Sequence, residues 1–131
     1  MFFLLRLRPA AHLLAMFGLD TDTIRRAVQA ALAEDIGAGD ATSVAAVPED
    51  AIGRAAMRAR ETLVLAGIEL AEGAFREIST EVQIERLAND GYRAKPGETV
   101  LRVVGPARAL LSAERVALNF VQRLSGIATL T

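Results

Sequence analysis

Between Ala113 and Leu124 the apolar residues Ala113, Val116, Ala117, Phe120, Val121 and Leu124 recur at the spacing of one helix side. Arg115, Asn119, Gln122 and Arg123 fall on the other side, with Leu118 near the edge. Ser112 stands where an N-cap belongs, and Glu114 places a negative charge in the first turn, against the positive end of the helix. An apolar stripe of this width has to be covered, so any fold for the chain must lay other elements, or a partner, against it. The run after it, Ser125-Gly-Ile-Ala-Thr-Leu-Thr131, is small and stops abruptly. The two features together lead us to expect a natural protein that continues past Thr131, with much of its chemistry there.

A chain of 131 residues suits one domain with a reasonable core. Hydrophobic residues at 52% against 24% charged exclude a disordered chain, and a net charge of -1 gives no basic excess for nucleic acid. The absence of Cys removes disulfide scaffolds, thiolate metal sites and cysteine nucleophiles. The single His is His12, so a hydroxyl nucleophile with a histidine base would hang on that one residue. Carboxylates, arginines, hydroxyls and backbone groups are left to do any chemistry. The opening Met1–Ala10 stretch is apolar but broken by Arg6, Arg8 and Pro9. A secretory signal carries its charge ahead of the apolar run, and a membrane span needs roughly 20 apolar residues. Neither pattern is met, so a cytoplasmic protein without a membrane partner is expected. Met16 precedes a helix start, so residues 1–19 read as an N-terminal extension or the product of a misassigned start.

Asp20-Thr-Asp-Thr23 offers caps for a helix over 22–34, which Gly37-Ala-Gly-Asp40 ends, with Asp40 and Thr42 suited to a turn. Residues 53–66 read as a strand bent near Glu61-Thr62, and Ile68 to Ile78 as a second helix. A strand follows over 82–87, then turns at Asn89-Asp-Gly91 and Lys95-Pro-Gly-Glu98. Thr99–Val104 and Ala107–Leu111 read as two short strands separated by Gly105-Pro106, before the helix of 113–124. The order predicts an α+β domain over 20–111, a short-stranded, mostly antiparallel sheet with helices on one face. Residues 112–131 are then a connecting helix.

Arg115 sits in the middle of the polar sector of the last helix, with Asn119 one turn away. Its planar fork suits bidentate binding of a carboxylate or phosphate, and equally an ordinary solvated face. Glu34, Asp35 and Asp40 do not fit a calcium loop, and capping or turn roles explain each. Gly37-Ala-Gly39 follows a helix instead of a strand, the wrong context for a phosphate cradle. Gly91…Lys95-Pro-Gly-Glu-Thr-Val100 is similar to the hairpins of biotinyl and lipoyl carrier domains, which leaves a carrier or binding module as a rival. Lys95 is flanked by Ala94 and Pro96, however, where a modified lysine typically has Met or another fixed neighbour.

The run Glu114-Arg-Val-Ala-Leu-Asn-Phe-Val-Gln-Arg-Leu-Ser-Gly-Ile-Ala-Thr129 resembles the signature of quinolinate phosphoribosyltransferases, also called nicotinate-nucleotide pyrophosphorylases. Ala33-Glu-Asp-Ile-Gly-Ala-Gly-Asp-Ala-Thr42 is similar to the family's acidic-glycine motif, with Ala41 where Leu is usual. Arg60 through Ala66-Gly67, then Asp90-Gly91, Gly97 and Gly105-Pro-Ala107, follow in the family's order. The resemblance covers roughly residues 20–131. It implies a hammerhead-like N-terminal domain whose companion, an α/β barrel, is missing from this chain. It implies a glycosyltransferase that joins quinolinate to phosphoribosyl pyrophosphate with Mg²⁺, giving nicotinate mononucleotide, pyrophosphate and carbon dioxide in NAD biosynthesis. It further implies a homodimer whose active site is shared between subunits, with Arg115 reaching the substrate carboxylate in the neighbouring subunit. A paralogue of the type linked to molybdenum transport would share the scaffold with another substrate.

Overall fold

The structure, a computed structural model, describes residues 20–38 and 46–130. The expectations for residues 1–19, His12, Gly39, Asp40 and Thr42 lie outside these. Asp20 starts helix α1 (Thr21–Ala38) by accepting the Thr23 backbone N–H at 2.8 Å, which also holds its carboxyl below the usual range. Val28 and Leu32 carry the apolar side of α1 into the core. Helix α2 (Ile68–Ile78) crosses α1 at Gly73, where a Cβ would stand 3.2 Å from Val28 Cγ2 and 3.3 Å from Ile24 Cγ2. Lacking one, the helices close together there.

Strands β1 (Ile52–Arg58), β3 (Gln83–Arg86) and β5 (Thr99–Pro106) form an antiparallel sheet in the order β1-β5-β3. Two short strands, β2 (Leu63–Val64) and β4 (Arg93–Ala94), pair separately. The expected strand of 53–66 is thus two strands in two sheets, divided at the bend near Glu61-Thr62. Side chains alternate along β1, with Arg54, Ala56 and Arg58 exposed and Ala55 and Met57 turned toward the core. Register sets Ala55 beside Val103 and Val103 beside Ile84 on the inner face, and Ala56 beside Arg102 and Arg102 beside Glu85 on the outer. The outer face is polar, and Arg102 Nη1 lies 3.2 Å from Glu85 Oε1.

Helix α3 runs from Ala107 to Thr129 and packs against α1, α2, β1 and β5. Two expectations are corrected here. Ala107–Leu111 is helix, not strand, because Ala109 and Leu110 extend the same buried stripe one turn backward through Ala113, Val116, Ala117 and Val121. The residue at the helix cap is Pro106, whose fixed φ closes β5 and opens α3, so Ser112 lies inside the helix. The apolar stripe also needs no outside partner. The chain's own helices and sheet bury it, while Leu111, Leu118, Ile127 and Leu130 are the apolar side chains α3 leaves exposed.

Candidate functional site

The buried stripe fixes the rotation of α3 about its axis, and with it the direction of Arg115. That side chain is 61% exposed, and its Nη1 lies 3.5 Å from Asp35 Oδ1 on α1. The contact is longer than a good hydrogen bond and half solvated, a geometry worth only about 0–1 kcal/mol. Arg115 therefore stays in its own domain without being sealed there, and most of its fork faces outward. Asp35 is the more enclosed member at 23% exposure. Asp35 lies in the C-terminal half of α1, whose last turn holds no basic residue, so a carboxylate there opposes the helix dipole. Arg115 supplies the missing positive charge from α3.

Beside this pair a cavity of about 210 Å³ opens between α1 and α3, lined by Glu34, Asp35, Asn119 and Arg123 with Phe120 as its apolar wall. The structure thus brings Asn119 and Arg123 of the polar sector together at this cavity and adds two carboxylates to them. Asp35, expected to serve a capping or turn role, instead faces Arg115 across the interhelical gap. No local signal announces a pairing between residues 80 positions apart.

The small run at the end of α3 has a role that sequence reading missed. Ser125, 2% exposed, accepts the Ala66 N–H at 2.9 Å and donates to the Ala66 carbonyl at 3.2 Å. One turn on, Thr129 Oγ1 accepts the Val64 N–H at 2.9 Å and donates to the Ser125 carbonyl. Meanwhile the Leu65 N–H bonds Tyr92 O at 2.8 Å. Residues 64–66 are therefore held by β4 on one side and by helix hydroxyls on the other. Gly67 follows at φ 91, where a Cβ would clash with Leu124 Cδ1 at 2.9 Å, and the Asp90 carboxylate accepts the Gly67 and Ile68 N–H groups at 3.0 Å each. Ser125→Ala should cost about 1–3 kcal/mol, because the buried Ala66 N–H loses its acceptor. Urea unfolding should show a lower midpoint at unchanged slope. A midpoint that does not move would refute the hydroxyl's part.

Two further polar sets bear on the rivals. Glu72 is 3% exposed on α2 and receives two bonds from Arg86, one from Nε at 2.7 Å and one from Nη2. That bonding raises the Arg86 guanidinium above its ordinary range. The Lys95 turn joins β4 to β5, strands of different sheets, so it is not the hairpin tip on which a carrier lysine sits. There Glu98 accepts the Tyr92 hydroxyl and the Lys95 N–H, which lowers its carboxyl and raises the phenol.

An open groove of about 1000 Å³ runs between β1, the bend at 58–63 and the second half of α3. Met57, Leu63, Leu118, Ile127 and Leu130 form its apolar walls, with Arg58, Arg60 and Arg123 among its polar residues. Among the described residues no cluster of three or more acidic or histidine side chains could hold a metal ion. None of their helices is long and apolar enough to cross a membrane.

Comparison with known proteins agrees with this layout. The chain is 41% identical over 125 residues to quinolinate phosphoribosyltransferase [decarboxylating] 1b of Nicotiana tabacum, covering 95% of this chain and 34% of that protein. It is 42% identical over 98 residues to a probable nicotinate-nucleotide pyrophosphorylase [carboxylating] of Bacillus subtilis, covering 75% of this chain and 34% of that one. Among solved structures, the nicotinate-nucleotide pyrophosphorylase of Francisella tularensis superposes with a TM-score of 0.79 at 32% identity, over 86% of this chain and 39% of its own. NadC of Streptococcus pyogenes gives 0.79 at 36%, over 86% and 40%. The chain thus spans about a third of the length of the curated relatives it matches. The profile of the family described as quinolinate phosphoribosyl transferase, N-terminal domain, matches residues 40–125, and with the shared fold this shows that the chain belongs to the quinolinate phosphoribosyltransferase family and carries its N-terminal domain.

Proposed function

We propose that this chain works as the N-terminal domain of a quinolinate phosphoribosyltransferase. The reaction joins the pyridine nitrogen of quinolinate to the anomeric carbon of phosphoribosyl pyrophosphate. Pyrophosphate leaves, the 2-carboxylate departs as carbon dioxide, and nicotinate mononucleotide remains. The observation that carries the reading is Arg115: its helix places it, among the described residues one weak contact holds it, and at 61% exposure its side chain is accessible to an outside anion. Its role is to clamp a substrate carboxylate and offset its charge, with no proton to transfer. A charge-assisted, two-pronged bond of this kind gains strength where water is excluded.

The remaining ligands for both substrates would come from the further two-thirds that the relatives possess. Residues 20–111 would form the front domain and 112–131 the connection to that part. The apolar walls of the groove support docking against more protein, and a homodimer in which Arg115 serves the second subunit's site belongs to the same proposal. Magnesium would accompany the pyrophosphate group, and its protein ligands would have to lie outside the residues described here, since these hold no fitting set. The sequence of the opening segment supports a cytoplasmic site of action, although some relatives are named mitochondrial or chloroplastic.

The test is a hybrid in which residues 1–131 replace the matching front part of the Bacillus subtilis relative. Carbon dioxide and nicotinate mononucleotide should form only when quinolinate and phosphoribosyl pyrophosphate are both supplied. The 131-residue chain by itself should give no turnover. A well-folded hybrid without activity, or turnover by the chain alone, would contradict the proposal.

A further inference from the structure

We infer that Asp35 is a positioning residue for Arg115, holding one edge of its guanidinium so that the remaining donors point at the substrate carboxylate. The inference rests on the reading of Arg115 just given and extends it to a residue on another helix. Three observations carry it. The contact is a single one, Nη1 to Oδ1 at 3.5 Å, which leaves the rest of the fork unclaimed among the described residues. The exposures are unequal, 61% for Arg115 and 23% for Asp35, so the carboxylate is the more enclosed member and the arginine the one with room to move. And a carboxylate in the C-terminal half of α1, whose last turn has no basic residue, opposes the helix dipole, so helix stability does not account for it. The charged and polar groups around the pair are Glu34 on α1 and Asn119 and Arg123 on α3, all lining the adjoining cavity. Arg123 sits on the same cavity wall and, among the described residues that line it, is the one cation that Asp35 could face. Among the described residues Asp35 nevertheless makes its ion pair with Arg115.

The physical gain is pre-organisation. An arginine free to sample its rotamers loses that freedom when it grips a ligand, whereas one already restrained has lost it on folding. The competing idea, that Asp35 matters only through its charge, makes the opposite prediction. Removing a negative charge beside the site should strengthen binding of a doubly charged acid. The sign of the change therefore separates the two.

In the hybrid enzyme, Asp35→Ala should raise KM for quinolinate by about two- to fivefold, the range that loss of a weak, half-solvated ion pair can supply, with KM for phosphoribosyl pyrophosphate unchanged and kcat little affected. Asp35→Asn keeps an acceptor oxygen in the same place without the charge, and should hold KM at or below that of the parent. A KM that falls or stays level in Asp35→Ala, or rises equally in both variants, overturns the inference. A second readout needs no activity. In the 131-residue chain, ¹⁵N relaxation of the Arg115 Nε–H should report a restrained side chain in the parent and in Asp35→Asn, and a mobile one in Asp35→Ala. Equal mobility in all three refutes positioning outright. By contrast, a hybrid in which Arg115→Ala leaves the quinolinate KM untouched sinks the reading of Arg115 itself while these relaxation results stand.

Discussion

Arg86→Met should lower the stability of the chain by about 3–5 kcal/mol, more than any substitution of its partner Glu72. The reason is the asymmetry of burial. The Glu72 side chain is 4% exposed and the Arg86 side chain 32%. Methionine keeps the apolar stem of Arg86 but takes away both bonds to the carboxylate, which is then left in the core without its main partner. Arg76, at 3.5 Å and mostly solvated, replaces little of this. Removing Glu72 instead leaves a guanidinium that can turn to water, so Glu72→Gln should cost less, about 1–3 kcal/mol. Since whole domains are stable by only about 5–15 kcal/mol, the first loss should be plain in urea unfolding of the 131-residue chain. If the Glu72 substitution proves the more damaging, burial does not govern this pair.

Elements set by a regular period were legible in the sequence. The helix of Ile68 to Ile78 and the stripe of Ala113 to Leu124 show their buried sides because side-chain spacing and helix pitch coincide. Glycine turns at Gly91 and Gly97 were legible too, since both sit at positive φ. The stretch from Gly105 to Leu111 was misread because Gly-Pro usually separates elements. Here Pro106 ends a strand and opens a helix with no residue between, and short runs such as Ala-Arg-Ala-Leu-Leu fit either period. Also hidden was what covers the stripe, because apolar periodicity says that a face is buried and nothing of what buries it.

The candidate site divides the same way. Arg115 could be picked out because the stripe dictates the opposite side of its own helix. Asp35 could not, since its meeting with Arg115 depends on how α1 lies across α3. The hydroxyls of Ser125 and Thr129 were equally hidden. One helical turn apart, they look like a filler run, and only the backbone of residues 64–66 running alongside makes them acceptors. Family likeness pointed to that run without giving its reason, and the reason is structural: it ties the helix bearing Arg115 to the second sheet.

Under the proposed function, one exposed guanidinium on α3 grips the pyridine diacid. Losing a charged, two-pronged partner from a sheltered site costs about 2–5 kcal/mol, which corresponds to roughly 30-fold to several-thousand-fold in affinity. Lysine at the same position should recover little, because an ammonium lacks the planar fork. The most direct measurement is therefore a pair of titrations on the hybrid enzyme and its Arg115→Ala variant, one with quinolinate and one with phosphoribosyl pyrophosphate. Quinolinate affinity should collapse by that factor while the other substrate binds as before. Equal losses for both, or no loss for quinolinate, would show that Arg115 is not its anchor.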